Sequence, residues 1–510
     1  MSRPALVVGS GPNGLAAAIA LAEAGRDVTV LEAADRAGGA VATEELTLPG
    51  FRHDRFSAVY PASVASPVFA RMPLERHGLR WIHPRRCYAH PLPDGRAGAL
   101  SVDIGETAAS LDALHPGDGE AWRAFATPYV ERFAAWQDTM LHGFPPVRGP
   151  ARMLAAHGLG GLLDFAKLLL MPAQALAGRL FADTGSRAWL YGSAMHGDAP
   201  PVSAGSAIAA AHLNVMGHAV GWPSPEGGAG RLADALVSYL ESLGGRVRTG
   251  ARVQRIAVER GRAVGVELSG GERVSGSLIV ADVSPAALLR LTGDALGGRY
   301  AAGLRAWRLG PATLKIDWAL DGPIPGTAPE AREAGTVHVG GDEAEVLEAL
   351  SPVGAELHEK PFMLLGQQSL VDPTRAPPGK QTAWAYTHGA QEADWAGETD
   401  RQVERMEAQI ERFAPGFRET ILARHVQGPA DLERGDANLE GGDVGAGSYA
   451  LDQVVFRPVA SLDPYRTPVR GPSSAAPRRS RAAPCTGSAA TPRRGGPSPT
   501  PGSGASERVY

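Results

Sequence analysis

Cysteine is nearly missing from this sequence: Cys87 and Cys485 are the only two in 510 residues. That excludes a disulfide framework, a cysteine-rich zinc site and a redox Cys-x-x-Cys pair, and it fits a reducing compartment, so a cytoplasmic location is expected. A basic excess is missing as well. With a formal net charge of −4, the chain is not built to bind nucleic acid by neutralising phosphates. Long hydrophobic runs are also lacking: no uninterrupted stretch of about 18 apolar residues occurs, so a spanning helix is not expected. The nearest approach, LGGLLDFAKLLLMPAQALAGRLF from Leu159 to Phe181, is interrupted by Asp164, Lys167 and Pro172. It reads as buried or lid helices, with peripheral contact to a membrane surface as the alternative.

What is present is a chain of 44% hydrophobic residues, enough for two cored domains or one discontinuous one, and small-molecule chemistry is the expectation. The opening MSRPALVVGSGPNGLAAAIALAEAG would pass for a signal peptide but for three glycines inside its apolar region. Those glycines fit another pattern. Ala5 to Val8 form a short apolar strand that runs into GSGPNG, and an alanine-rich helix follows from about Asn13 to Ala24. In that strand–turn–helix, Gly9 permits the turn, Gly11 admits a pyrophosphate close to the backbone, and Gly14 allows tight helix packing. Ser10, Pro12 and Asn13 complete the cradle at the helix N-terminus, where free N–H groups face an anion. Beyond Gly25, DVTVLE reads as a second strand ending in Glu32, placed to accept hydrogen bonds from a ribose. A glycine-rich turn with a surface glutamate is the plainer alternative. Arg36 could meet a 2′-phosphate, but Glu32 would repel one, which leaves NAD or FAD open.

From Gly227 to Pro285 the pattern resumes. Leu232, Leu236, Val237 and Leu240 share one helical face, ended by Gly244 and Gly245, and RVRTGARVQRIAVE, AVGVEL, ERVSG and SLIVAD then read as strands. The order strand, Gly-x-Gly-x-x-Gly, Glu32, then Arg36-x-Gly38-Gly39, resembles the N-terminal signature of the flavin-binding amine oxidase and phytoene desaturase superfamily. Within it the chain is most similar to phytoene desaturase-like oxidoreductases, by GPNGLAAAIALAEAG, GGAVATEELTLPGFRHD, HPLPDGR, GGRVRTGARV and GGDVGAGSYALDQVVFRP. The resemblance implies an α/β fold: a Rossmann-like FAD-binding domain, discontinuous in sequence, with an α+β substrate or cap domain. It implies FAD as cofactor, with Val253 against the adenine end; a core valine on a strand is the alternative there. The implied divisions are 1–70, 206–290 and 441–470 for the FAD-binding domain, 71–205 and 291–440 for the cap, and 471–510 as a tail. It further implies hydride transfer to flavin from a lipophilic, polyene-like small molecule; with no separate NAD(P)H site visible in the sequence, oxygen, a quinone or a diffusible acceptor is expected to reoxidise the flavin.

No catalytic residue stands out. His157, His196, His212 and His218 lie in the cap half, His196 near Asp198 in a loop-like stretch, but each reads as a surface or satisfied core histidine. GAGSYA from Gly445 lacks a flanking strand and helix, so it reads as a loop near the flavin rather than a second nucleotide site. His358 to Lys360 reads as a surface charge cluster. From Gly471 to Tyr510 there is no Leu, Ile, Phe, Met, Trp or Lys and one acid, Glu507; disorder is expected. The family's final segment, a Pro-Gly-Gly loop and a helix returning to FAD, belongs here. In a shifted frame with GC-rich codons, Pro472 to Arg493 can read PVVGSAATFPGGAVHGVRGDAAA, which restores that segment. A frameshifted C-terminus is therefore expected, and with it two fates: an FAD-dependent oxidoreductase, or a flavin-poor homologue acting as a binding or regulatory protein.

Overall fold

The computed structural model describes residues 4–141, 148–196, 199–350, 356–454, 457–461, 463–469 and 472–474. At its centre is a five-stranded sheet in the order Pro472–Ser474, Leu278–Ala281, Ala5–Val8, Val28–Leu31, Arg246–Arg248. Every neighbouring pair is parallel. Strands covered on both faces must be apolar throughout, and Leu6, Val7 and Ile279 are fully buried. The helix Pro12–Glu23 packs Leu15, Ala16 and Ile19 on one face together with the helix Gly230–Ser242. Leu6 and Ile279 belong to a second core, shared with Leu288 and Leu304 of the helices Pro285–Thr292 and Gly298–Arg305. That core also holds Ile256 and Val266 of an antiparallel ribbon, Val253–Glu259, Arg262–Leu268 and Arg273–Ser275. The parallel domain is thus discontinuous, and it carries the α/β class read from the sequence.

Two divisions of the chain move. The helix Ser206–Val220 lies in the cap core with Tyr88 and Trp189, not in the parallel domain. The physical reason is its Ala/Ile/Leu surface, apolar all round, which has to be buried on every side. Conversely, residues 291–305 pack with the parallel domain rather than with the cap.

The cap is built on a seven-stranded sheet in the order Ile421–Gln427, Ala312–Leu320, Gln381–Gly389, Met363–Gly366, Ala334–Val339, Arg86–Pro91, Ala97–Leu100. It is antiparallel except where Ala334–Val339 meets Arg86–Pro91. The helix Trp395–Phe413 covers it through Val403, Met406, Ile410 and Phe413, spaced by three or four residues as one helical face requires. Helices from residues 104 to 220 enclose an aromatic core around Tyr88, Trp122, Trp136 and Trp189.

The helix Arg148–Leu170 is kinked at Gly158, which adopts φ +66°. It holds Met153, Phe165 and Leu168 in the core but leaves Leu159, Leu163 and Leu170 more than half exposed. The expectation of a buried segment is corrected for these leucines. Total apolar content suggested burial; only the kink and the packing determine which face turns in. Among the described residues it is the one helix long and apolar enough to count as a candidate membrane span, by length and composition alone.

Pro472–Ser474 pairs with Ile279–Ala281, so the expectation of disorder from Gly471 is corrected for these three residues. A sheet edge offers backbone N–H and C=O groups, and pairing with it demands little of the side chains. Residues 475–510 lie outside the described residues, and the frameshift reading lies there with them.

Candidate functional site

In the parallel sheet the chain leaves Ala5–Val8 for Val28–Leu31 on one side, while Leu278–Ala281 lies on the other. A crevice opens beyond the carboxyl ends of strands that diverge in this way. Gly9 turns there at φ +96°, and a Cβ on it would stand 2.7 Å from the Asp282 carbonyl oxygen. A Cβ on Gly14 would stand 2.3 Å from the Gly9 carbonyl oxygen, so the helix sits directly on the turn. Gly11 faces the crevice, where the nearest atom to its missing Cβ is Asp282 Oδ2 at 3.1 Å. Pro12 begins the helix, where its lack of an N–H costs nothing.

Glu32 closes the second strand and is held firmly. Its Oε2 accepts from the Ser10 N–H at 2.9 Å and the Ser10 hydroxyl at 2.5 Å, and its Oε1 accepts from the Ala34 N–H at 2.9 Å. Oε1 keeps a lone pair beyond its one bond, while both of those on Oε2 are taken by Ser10. The Gly38 N–H donates to Ser10 Oγ at 3.1 Å, and a Cβ on Gly39 would come within 3.1 Å of Gly11 Cα, so this loop folds down over the cradle. Gly9, Ser10, Gly11, Pro12, Asn13, Gly14, Glu32, Gly38 and Gly39 are thereby brought together. Arg36 is not: it forms an ion pair with Glu44 and is 42% exposed. Val253 pairs with Leu268 in the antiparallel ribbon and does not line the cavity, although the N–H groups of Gly250 and Ala251 donate to the carbonyls of Ala34 and Glu32 at 2.7 Å.

The crevice continues as a cavity lined by Gly11, Pro12, Asn13, Ala40 and Val41, then by Val283, Trp307 and Leu309, and finally by Leu439, Arg457 and Tyr465. Asn13 Oδ1 is buried with no hydrogen-bond partner among the described residues. An orphaned acceptor at the start of a helix suits a bound polar molecule with donors of its own. Asp282 Oδ2 accepts from the Gly14 N–H at 2.8 Å, and Asn438 Oδ1 accepts from the Ser284 N–H at 2.8 Å. Asp436 also lines the cavity; desolvation there, with the Glu32 carboxylate nearby, raises its carboxyl above the usual range.

Sequence reasoning missed Asp282, Asp436, Asn438, Trp307, Arg457 and Tyr465 as cavity residues. Only Asp282 carried a usable signal, the acid ending the apolar strand SLIVAD. Ala446 also lines the cavity, which puts the GAGSYA loop at the site.

Behind the loop that supplies Ser57 and Tyr60 to the cavity lies a buried ionic network. Asp54 pairs with Arg375, whose Nη1 donates to Asp54 Oδ1 at 3.1 Å. Lys315 Nζ donates to Asp317 Oδ1 at 2.6 Å and to the Asp54 carbonyl at 3.2 Å. Burial pushes Asp317 up to about 6 despite that lysine, and burial with the Lys315 and Arg375 charges pushes His53 down to about 3.

The cap histidines fall away from the cavity. His212 accepts from Trp136 Nε1 at 2.8 Å and His218 from Trp122 Nε1 at 3.0 Å, while His196 meets His338 at 3.0 Å. These are core groups, each bonded at one ring nitrogen, with His212 Nε2 and His338 Nδ1 left without a partner among the described residues; His157 is half-buried beside Tyr129, and Asp198 lies outside the described residues. Glu359 and Lys360 form exposed ion pairs with Arg401 and Glu345.

A family model for flavin-containing amine oxidoreductases matches residues 13–406. The chain belongs to this family. It is 28% identical over 523 residues to the rat pyridine nucleotide-disulfide oxidoreductase domain-containing protein 2, covering 92% of this chain and 88% of that one. It is 23% identical over 428 residues to a phytoene desaturase of Neurospora crassa, covering 77% and 67% respectively. The solved structure of putrescine oxidase bound to putrescine superposes with a TM-score of 0.60 at 18% identity, over 95% of this chain and 96% of that one, a likeness of fold. The protein is therefore a flavin-dependent oxidoreductase by family.

Proposed function

We propose that the flavin is FAD and that the reaction is a dehydrogenation of the desaturase kind, acting on an apolar, polyene-like substrate. One observation carries this reading: beyond the cradle, Val283, Leu309, Leu439, Trp307 and Tyr465 form an apolar wall of the cavity, set against Asp436, Asn438, Glu440, Asp443 and Arg457, and no histidine is among its described lining residues. Such a wall orients a hydrocarbon and excludes water, which is the protein's share of the work when the cofactor does the chemistry. FAD, when bound, supplies the hydride acceptor. The Asn13 N–H at the start of the first helix would hold its pyrophosphate, the Gly14 N–H being taken by Asp282, and the free lone pair on Glu32 Oε1 would accept from its ribose hydroxyls. The Neurospora relative, a phytoene desaturase by name, supports the same substrate class. Electrons then leave to oxygen or a quinone, since the GAGSYA loop offers no second strand–turn–helix for a nicotinamide nucleotide.

The test is anaerobic mixing of the FAD-loaded protein with detergent-solubilised phytoene or with putrescine. Loss of flavin absorbance with phytoene and not with putrescine is the expected result; the reverse would overturn the reading.

A second reading rests on the tail: residues 475–510 carry none of the large apolar residues from which the family's last cofactor segment is made. If that segment is indispensable, the chain is a flavin-poor binding protein. Flavin content after purification in the presence of FAD decides, stoichiometric flavin favouring the enzyme and none favouring the binder. Resequencing the end of the gene tests the frameshift directly.

A further inference from the structure

The cofactor cavity has a neighbour. A small crevice is lined by Leu169 at the end of the kinked helix, Ala199 and Ile208 of the cap, and Tyr449, Leu451 and Val454. Its lining is aliphatic apart from the Tyr449 ring, and it adjoins the exposed Leu170. Among the described residues, a clamp joins the crevice to the cavity. Arg457 lines the cavity and holds its guanidinium carbon 4.8 Å from the ring centre of Trp307, another cavity residue, and 4.9 Å from that of Tyr449, a crevice residue. The guanidinium is anchored from the loop between them, donating to the carbonyls of Ala446 at 3.1 Å, Gly447 at 2.6 Å and Ser448 at 3.4 Å. A planar cation against two ring faces is attracted to each of them. The attraction is firm enough to keep a partition closed and weak enough to part for a ligand.

We propose that Trp307, Arg457 and Tyr449 form a gate between an apolar entry crevice and the cofactor cavity, and that the gate selects long, narrow apolar molecules. A chain threading the crevice slides between Leu169 and Leu451, displaces the Tyr449 ring, and reaches the cavity with one end still in the crevice. A charged or hydrated molecule would be stripped of water along that aliphatic wall and gains nothing in return. The proposal rests on the apolar-substrate reading above and deepens it.

The probe is diphenylhexatriene, a rod-shaped hydrocarbon whose fluorescence rises on leaving water, titrated into the full-length FAD-loaded protein. Ala199→Trp fills the crevice from a half-buried loop position, and it should weaken probe binding roughly tenfold or more while FAD affinity, followed by flavin fluorescence, stays unchanged. Tyr449→Ala removes one face of the clamp and should speed flavin reduction by phytoene at limiting phytoene concentration; Tyr449→Phe, which keeps the ring, should not. If Ala199→Trp loses FAD as well, Leu451→Trp replaces it. Unaltered probe binding in the filled variants, with the wild type binding well, overturns the crevice and leaves the apolar-substrate reading standing. Failure of the wild type to bind the probe or to be reduced by phytoene overturns both.

Discussion

Gly14 shows how little room the cofactor cradle leaves. With 2.3 Å between its missing Cβ and the Gly9 carbonyl oxygen, Gly14→Ala must lift the first helix off the turn. Overpacking of this kind costs about 1–3 kcal/mol, so flavin affinity should fall by roughly ten- to hundredfold, as read by titration of the apoprotein with FAD. Gly25, left-handed at φ +77° with open space around it, is the control: Gly25→Asn should bind FAD as the wild type does. The cradle could be read from sequence because it is a backbone demand written in six contiguous residues. Asn438 could not, because it reaches the same spot only after strands far apart in the chain have paired, and Asp282 offered no more than an acid at the end of SLIVAD. Arg36 misled for a different reason: a basic residue at a suggestive spacing was already satisfied by Glu44, a partner that only the fold reveals.

At the scale of elements, Asp54 and Arg375 act as a rivet. Asp54 Oδ1 also accepts from the Ala229 N–H at 2.7 Å and from the Thr43 hydroxyl at 2.8 Å, so one carboxylate joins a short hairpin, the turn at 372–375 and the start of the helix Gly230–Ser242. Arg375→Met strands that carboxylate in the interior, where breaking a buried pair costs about 3–5 kcal/mol. Urea unfolding should show the midpoint fall accordingly. Asp54→Leu combined with Arg375→Met should recover only part of it, because the Ala229 N–H and Thr43 hydroxyl lose their acceptor. None of this was visible in the sequence, where Asp54 and Arg375 stand 321 positions apart. The strands of residues 246–281, by contrast, were visible one by one, because alternation and glycine turns are local properties. The kinked helix falls between the two cases: its existence was local, its outward face was not.

The molecule as a whole should be labile to mild acid. Burial holds His53 and His212 down to about 3 and His90 and His218 down to about 4, against 6.5 in the unfolded chain. A lowered histidine favours the neutral fold, so its contribution is complete above pH 6.5 and is lost as pH falls toward those values, by about 1.4 kcal/mol per unit for each group. Asp317 works the other way: raised from 3.8 to about 6, it favours the fold below pH 3.8 and loses that as pH rises through 6. Four groups outweigh one between pH 6 and 4, so the thermal midpoint should begin to drop just below pH 6.5. Near-UV circular dichroism melts from pH 8 to 4.5 check it; a midpoint flat down to pH 5 would contradict the assignment. For His212 and His218 the mechanism is specific, since each accepts a tryptophan N–H at the nitrogen facing the indole.

The order of strands in the parallel sheet also sets a timetable for the ribosome. Ala5 pairs with Leu278, so the first strand to emerge must wait for roughly 270 further residues, about 15–50 s at 5–20 residues per second. In that interval Val28–Leu31 is already made, and Ala5–Val8 has one edge satisfied and one open. Unpaired apolar edges are what chaperone holdases and aggregation both recognise. Synthesis rate and chaperone supply should therefore govern the yield of soluble chain more than its finished stability does.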